Sequence, residues 1–350
     1  MTDVSPLPTR VFEASMGQVA FHDEGDGPPV VLVHGFPASS WQWRDFLPLL
    51  ATRFRVVAPD LPGAGGSRPA GAGSFDLAAR SGAVRELLMH LGVHAAAVVA
   101  HGSGGVVARS LLLDDTAPNV DALVLVGADM IGGGSAAGVS QVRAALDATP
   151  DSDGRASVAR GVVREVFERG ALVHDRLPRR VLDGYADPYA DGDGPEWLAR
   201  VAEGLAADPA ANDEELDALA RVDVPVLILW GEDDPLAPVG VGERLNEAMP
   251  SSTLGLLPGC GHFLIEEAAD TIAPMISEYL RARYAHAPHG HADPSAGVVM
   301  LQLERRPPWV DLEEYETDDW FDTEDGTDDD GTAGDATAGD GDGDGKRGNR

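Results

Sequence analysis

Strand-length apolar runs, each running into a glycine or aspartate and separated by polar or helix-like sequence, constrain this chain more than any other feature. The first four are PPVVLVHG (28–35), RFRVVAPDL (53–61), AAAVVAHG (95–102) and DALVLVGAD (121–129). Their hydrophobicity is continuous rather than alternating, so both faces of each strand must be buried. The segment DLAARSGAVRELLMHLGV (76–93) opens on an Asp start signal and keeps helical spacing, which makes it a crossover between parallel strands. This order predicts an α/β fold with a mostly parallel central sheet flanked by helices.

From Met130 to about Val222 the pattern changes to GGGSAAG and then to arginine- and alanine-rich helical sequence without a strand. The sheet pattern resumes at VPVLILWGEDD (224–234) and STLGLLPGCGH (252–262), and a last helix is expected over 264–284. The expected organisation is a core of residues 1–129 and 223–285, a helical cap inserted at 130–222, and a tail at 286–350. The last 40 residues carry 16 Asp and Glu against three Lys and Arg, a net −13 of the formal charge of −32, so the body is acidic too. A tail of this composition cannot bury enough apolar surface to order itself. Within it DGDGDG (340–345) matches the first half of a calcium loop, but no closing glutamate follows. An acidic surface repels nucleic acid and anionic membranes. The absence of an apolar leader or a membrane-length run leads us to expect a soluble, cytoplasmic protein. The single cysteine, Cys260, excludes an intramolecular disulfide framework, and no metal or organic cofactor is expected.

Three polar stations stand at strand C-terminal ends, where ligands bind in open α/β sheets. They are HGFPASSWQW (34–43), AHGSGG (100–105), and WGEDDPLAP (230–238) together with GCGHF (259–263). Over residues 10–284 this arrangement resembles the α/β-hydrolase superfamily. HGFP and PDLPGAGGS are most similar to its epoxide hydrolase and haloalkane dehalogenase branch. The resemblance implies a nucleophile on a strand-to-helix elbow, small residues flanking it on either side. Aligning the strand and the helix-opening GG sets Ala100, His101, Gly102, Ser103 and Gly104 on the elbow, with Gly102 at the nucleophile position. The shifted register, with Ser103 as nucleophile, requires His101 at the first small position.

The resemblance also implies a general base at His262 and an orienting acid at Asp234, with Asp129 at the family's alternative acid position. Asp233 fits the acid position less well than Asp234, which precedes proline. Ser103 and Phe36 are expected to supply oxyanion-hole N–H groups, or Ser103 simply caps the following helix. His34 is expected to support the oxyanion loop and Cys260 to pack. Tyr185 and Tyr189 of the insertion are candidate donors to a substrate oxygen, and Trp41 and Phe36 candidate apolar pocket walls.

Glycine has no attacking atom, so an enzyme with this elbow would work by non-covalent acid–base chemistry. Epoxide opening, elimination or cyclisation of a small, largely apolar biosynthetic intermediate all fit. The alternatives are a ligand-binding protein on a hydrolase scaffold, and a serine hydrolase using Ser103. A small-molecule substrate is the expected partner, with no nucleic acid and no membrane.

Overall fold

The computed structural model describes residues 8, 10–70, 75–132 and 139–284. Both the acidic tail and its DGDGDG segment lie outside them. The chain opens with an antiparallel pair, β1 (Arg10–Ala14) and β2 (Gly17–Glu24), and continues through β3 (Pro29–Val33), the short helix α1 (Leu47–Leu50) and β4 (Arg55–Pro59). A two-residue strand β5 (Arg68–Pro69) pairs with β2. Then α2 (Leu77–His90), β6 (Ala95–His101), α3 (Gly104–Leu113) and β7 (Asn119–Val126) alternate as expected. Asp76 caps α2 by accepting a hydrogen bond from Ala79 N–H at 2.9 Å.

Between β7 and β8 the described residues form five α-helices: α4 (Val139–Asp147), α5 (Ser152–Gly170), α6 (Arg179–Ala190), α7 (Gly194–Ala206) and α8 (Asp213–Leu219). The sheet is completed by β8 (Val226–Gly231), α9 (Gly240–Ala248) and β9 (Ser252–Leu257). The chain then runs through α10 (Leu264–Glu267) and α11 (Ala269–Tyr284). The expected single last helix is therefore broken at Ala268.

The strand order is β1-β2-β4-β3-β6-β7-β8-β9. From β4 to β9 every pairing is parallel. β3, β6, β7 and β8 lie inside, and Val30 to Val33, Ala97 to Ala100, Ala122 to Val126 and Val226 to Trp230 are buried on both faces, as their continuous hydrophobicity requires. One face packs against α2 and α3, the other against α1 and α11. A third apolar cluster joins α4 to α7 with Phe36, Ala38, Trp41, Ala64 and Phe263, so the helical segment seats on the loops that leave the strand ends. Among the described residues no helix is long and apolar enough to cross a membrane.

Candidate active site

The elbow is the turn between β6 and α3. Gly102 adopts φ +52°, and an ideal Cβ built on it would lie 3.3 Å from His262 Nε2. A side chain at this position would therefore start beside the imidazole, where a nucleophile belongs. The turn is kept tight by neighbouring backbone. A Cβ on Gly104 would approach Val33 O to 2.7 Å, and one on Gly105 would approach Asp129 O to 2.5 Å.

Ser103 sits at the N-cap of α3 but makes no side-chain cap bond. Its Oγ instead accepts the Phe36 N–H at 3.0 Å. Two expectations change with this. Ser103 is not a helix-capping side chain, and the Phe36 N–H meets the Ser103 hydroxyl rather than standing open as an oxyanion donor.

His262 follows the turn after β9. Its Nδ1 is 2.8 Å from Asp234 Oδ2. Asp234 Oδ1 accepts from Leu236 N–H and Ala237 N–H, each at 2.8 Å. Asp234 is buried, whereas Asp233 is exposed, which separates the two neighbours. The His262 N–H donates to Gly170 O at 2.7 Å. Glu267, wholly buried, accepts from Gly261 N–H at 3.1 Å and from Leu172 N–H and Val173 N–H at 2.8 and 3.0 Å. Burial raises its carboxyl above the usual range, against the pull of those three N–H groups.

Two other histidines are buried and held neutral. His34 Nε2 accepts from Leu61 N–H at 2.8 Å, so Nδ1 carries the proton and donates to Gly35 O; burial lowers its pKa to about 4. His34 thus braces the loop, as the resemblance implied. His101 Nε2 lies 3.1 Å from His262 O, and burial, then the nearby His262, lower its pKa to about 3.

Asp129 does not meet His262. Its Oδ1 accepts from Ile131 N–H and Gly132 N–H at 2.9 and 2.8 Å, an Asx turn that shapes the loop after β7. Tyr185 is likewise drawn elsewhere: its hydroxyl donates to Glu266, which also binds Arg44 through two hydrogen bonds of 2.7 and 2.5 Å. Trp41 is covered by Arg44, 4.8 Å above its ring, and by Gly184 of α6. Tyr185 and Trp41 therefore tie the helical segment to the core and do not wall the cavity.

That cavity, about 10 Å³, adjoins the elbow; Phe36, Ser103, Tyr189, Arg80, Val201 and Leu205 are among the residues that line it. Tyr189 is the insertion tyrosine that reaches it. Its hydroxyl donates a long hydrogen bond, 3.5 Å, to Ala38 O. The Cys260 thiol is buried and pushed up to about 12, chiefly by burial, which makes it a packing group. Among the described residues no cluster of three His, Cys, Asp or Glu side chains is suited to a metal.

Sequence reasoning missed Glu266, Glu267, Arg44, Arg80 and Asp208. The two glutamates follow the histidine by four and five positions, and the acidic pair at the head of a helix reads as solvated surface.

A family profile described as alpha/beta hydrolase fold matches residues 28–269. The chain belongs to the α/β-hydrolase fold family. It is 30% identical over 262 residues to the magnesium-chelatase 30 kDa subunit of Rhodobacter capsulatus, covering 73% of this chain and 87% of that protein. It is 28% identical to haloalkane dehalogenase 2 of Mycobacterium tuberculosis (strain ATCC 25618 / H37Rv), covering 78% and 95%. Among solved structures, a thermophilic esterase from Thermogutta terrifontis superposes with a TM-score of 0.66 at 24% identity, covering 78% of this chain and 98% of that one.

Proposed function

We propose that this chain is an enzyme that works without a covalent intermediate on a small, largely apolar metabolite. His262 takes a proton from water, or from a substrate O–H or C–H, seated over Gly102. The observation that carries this reading is the 3.3 Å between His262 Nε2 and the Cβ position of residue 102, beside an intact His262–Asp234 pair. Asp234 keeps the proton on Nδ1, so Nε2 presents its lone pair to the site, and it stabilises the imidazolium that forms.

For an epoxide, the water oxygen forms the new C–O bond as its proton passes to Nε2. The ring C–O bond breaks, and the departing oxygen receives a proton from the imidazolium. The Ser103 N–H serves that oxygen, joined by the Phe36 N–H once the Ser103 hydroxyl turns aside. Elimination and cyclisation use the same base on a different proton. The names of the relatives, a dehalogenase and an esterase among them, favour water as co-substrate.

One observation supports a second reading, a ligand-binding protein: the Phe36 N–H is already engaged by Ser103. Single-turnover reactions in ¹⁸O-labelled water with a panel of epoxides, lactones and esters separate the two. The expected result is label in the first-turnover product and unmodified protein by intact-mass spectrometry. Stoichiometric acylation of Ser103 would overturn the mechanism, and binding without turnover across the panel would favour the second reading.

A further inference from the structure

Arg80, on α2, is wholly buried and lines the cavity beside the elbow together with Ser103 and Tyr189. Its guanidinium is only partly engaged. Nε donates to Phe75 O at 3.1 Å, and Nη2 meets both oxygens of Asp208, each at 2.5 Å. Nη1 has no hydrogen-bond partner among the described residues. A buried donor left unserved is costly, and a charged group more so. Asp208 already balances the charge from a position as buried as Arg80 itself. What the site lacks is therefore an acceptor rather than a negative charge.

We propose that Arg80 Nη1 is a specificity-determining anchor that donates a hydrogen bond to an uncharged oxygen, a carbonyl, ether or hydroxyl, on a compact apolar ligand. This rests on the proposed acid–base reading for the ligand's fate but not for its binding. A carboxylate would bring net negative charge into a site whose ion pair is already neutral, at a desolvation cost that hydrogen bonds to Nη1 and Tyr189 do not fully offset. Leu61, Val201 and Leu205 supply the apolar wall. A cavity of about 10 Å³ has room for roughly one water. A larger ligand thus requires Val201 and Leu205 of α7 to move, and the anchor oxygen then sits near the elbow while the apolar body extends toward α7.

Ligand-observed NMR titrations with cyclohexanone, methylenecyclohexane and cyclohexanecarboxylate test this in the full chain. These probes share a six-membered carbon frame and differ in the polar group. The wild type is expected to bind the ketone ~10-fold more tightly than the alkene, with the carboxylate weaker than the ketone. In Arg80→Met combined with Asp208→Leu, which replaces the ion pair by apolar groups of similar size, the ketone preference should vanish. Arg80→Lys keeps a charge opposite Asp208 and should reduce the preference at least ~3-fold, because the ammonium is drawn to the carboxylate without a second edge to offer. Equal binding of ketone and alkene, a preference that survives in the double variant, tightest binding of the carboxylate, or no binding of any probe would overturn the proposal. His262→Ala should leave the preference unchanged. A protein that shows the preference yet turns over nothing would retain the anchor and lose the mechanism.

Discussion

The turn after β6 and the loops after β8 and β9 face each other across the same crevice, and they are built on opposite plans. The first is shaped mainly by backbone. Gly102 contributes no side chain, and the turn is shaped by the close approach of Gly104 and Gly105 to Val33, His34 and Asp129. The second is all side chain, with Asp234 fixed by two N–H groups and His262 fixed by Asp234, Gly170 and the Glu267 brace. The difference teaches that the shape of an elbow and the chemistry of its neighbours are separable. Close backbone packing shapes the first, and hydrogen bonds to charged and aromatic side chains fix the second.

The largest effect that would test this separation is at the base. His262→Ala should lower turnover by at least ~10²-fold with ligand affinity little changed, since the lost interaction is made mainly in the transition state. Asp234→Asn should give a smaller loss of the same kind, through the wrong imidazole tautomer. Steady-state kinetics beside a binding titration reads both, and an active His262→Ala protein would break the assignment.

On the opposite wall, Gly104→Ala should cost about 2–4 kcal/mol of stability, because its Cβ meets two backbone oxygens that cannot yield. A urea denaturation midpoint unchanged from wild type would show that the turn is looser than its contacts imply.

His101 belongs to both regions, lying on the elbow strand and against His262 O. His34 and His101 have folded pKa values of about 4 and about 3 against 6.5, so the unfolded chain binds more protons below pH 6.5. Stability from these groups is present above pH 6.5 and is lost as pH falls. Asp60 acts the other way. Burial raises its pKa to about 6 from 3.8, so it favours the folded state as pH falls through 6. Taken alone, two histidines against Asp60 give a net loss on the order of 2 kcal/mol between pH 7 and pH 5, which the raised carboxyls of Glu267 and Asp208 reduce. Urea midpoints at the two pH values check this, and greater stability at pH 5 would contradict it.

The smallest effect is at Ser103. Ser103→Ala keeps the backbone N–H and releases the Phe36 N–H, so activity should stay within about threefold of wild type. An inactive Ser103→Ala enzyme beside an active His262→Ala enzyme would reverse the roles of the two regions.

The parallel strands were readable because β3, β6, β7 and β8 are buried on both faces and carry that burial as unbroken apolar runs. The hairpin of β1 and β2 was not, because Arg10 to Ala14 alternates and leaves Val11 half exposed, a weaker signal than a continuous run. In the site, the fold brings together His262, Asp234 and Gly102, which were reached through the family resemblance of motifs at strand ends. Arg80 with Asp208 and Arg44 with Glu266 were not. These partners lie 128 and 222 residues apart, and a buried charge looks like a solvated one until its counterpart is brought beside it. Asp129 and Tyr185 erred for the same reason, since nothing local shows that Ile131, Gly132 and Glu266 claim their oxygens first.

At φ +52°, residue 102 occupies a conformation that costs an L-amino acid with a side chain roughly 1–2 kcal/mol and costs glycine far less. A member of this family with a nucleophile there must carry that cost permanently in its resting state. This chain does not, so on the proposed reading the residue that leaves the elbow without an attacking group also relaxes the turn. Reinstalling a nucleophile, as in Gly102→Ser, would trade stability for reactivity at a single position, and the exchange rate can be read from one melting curve and one rate constant.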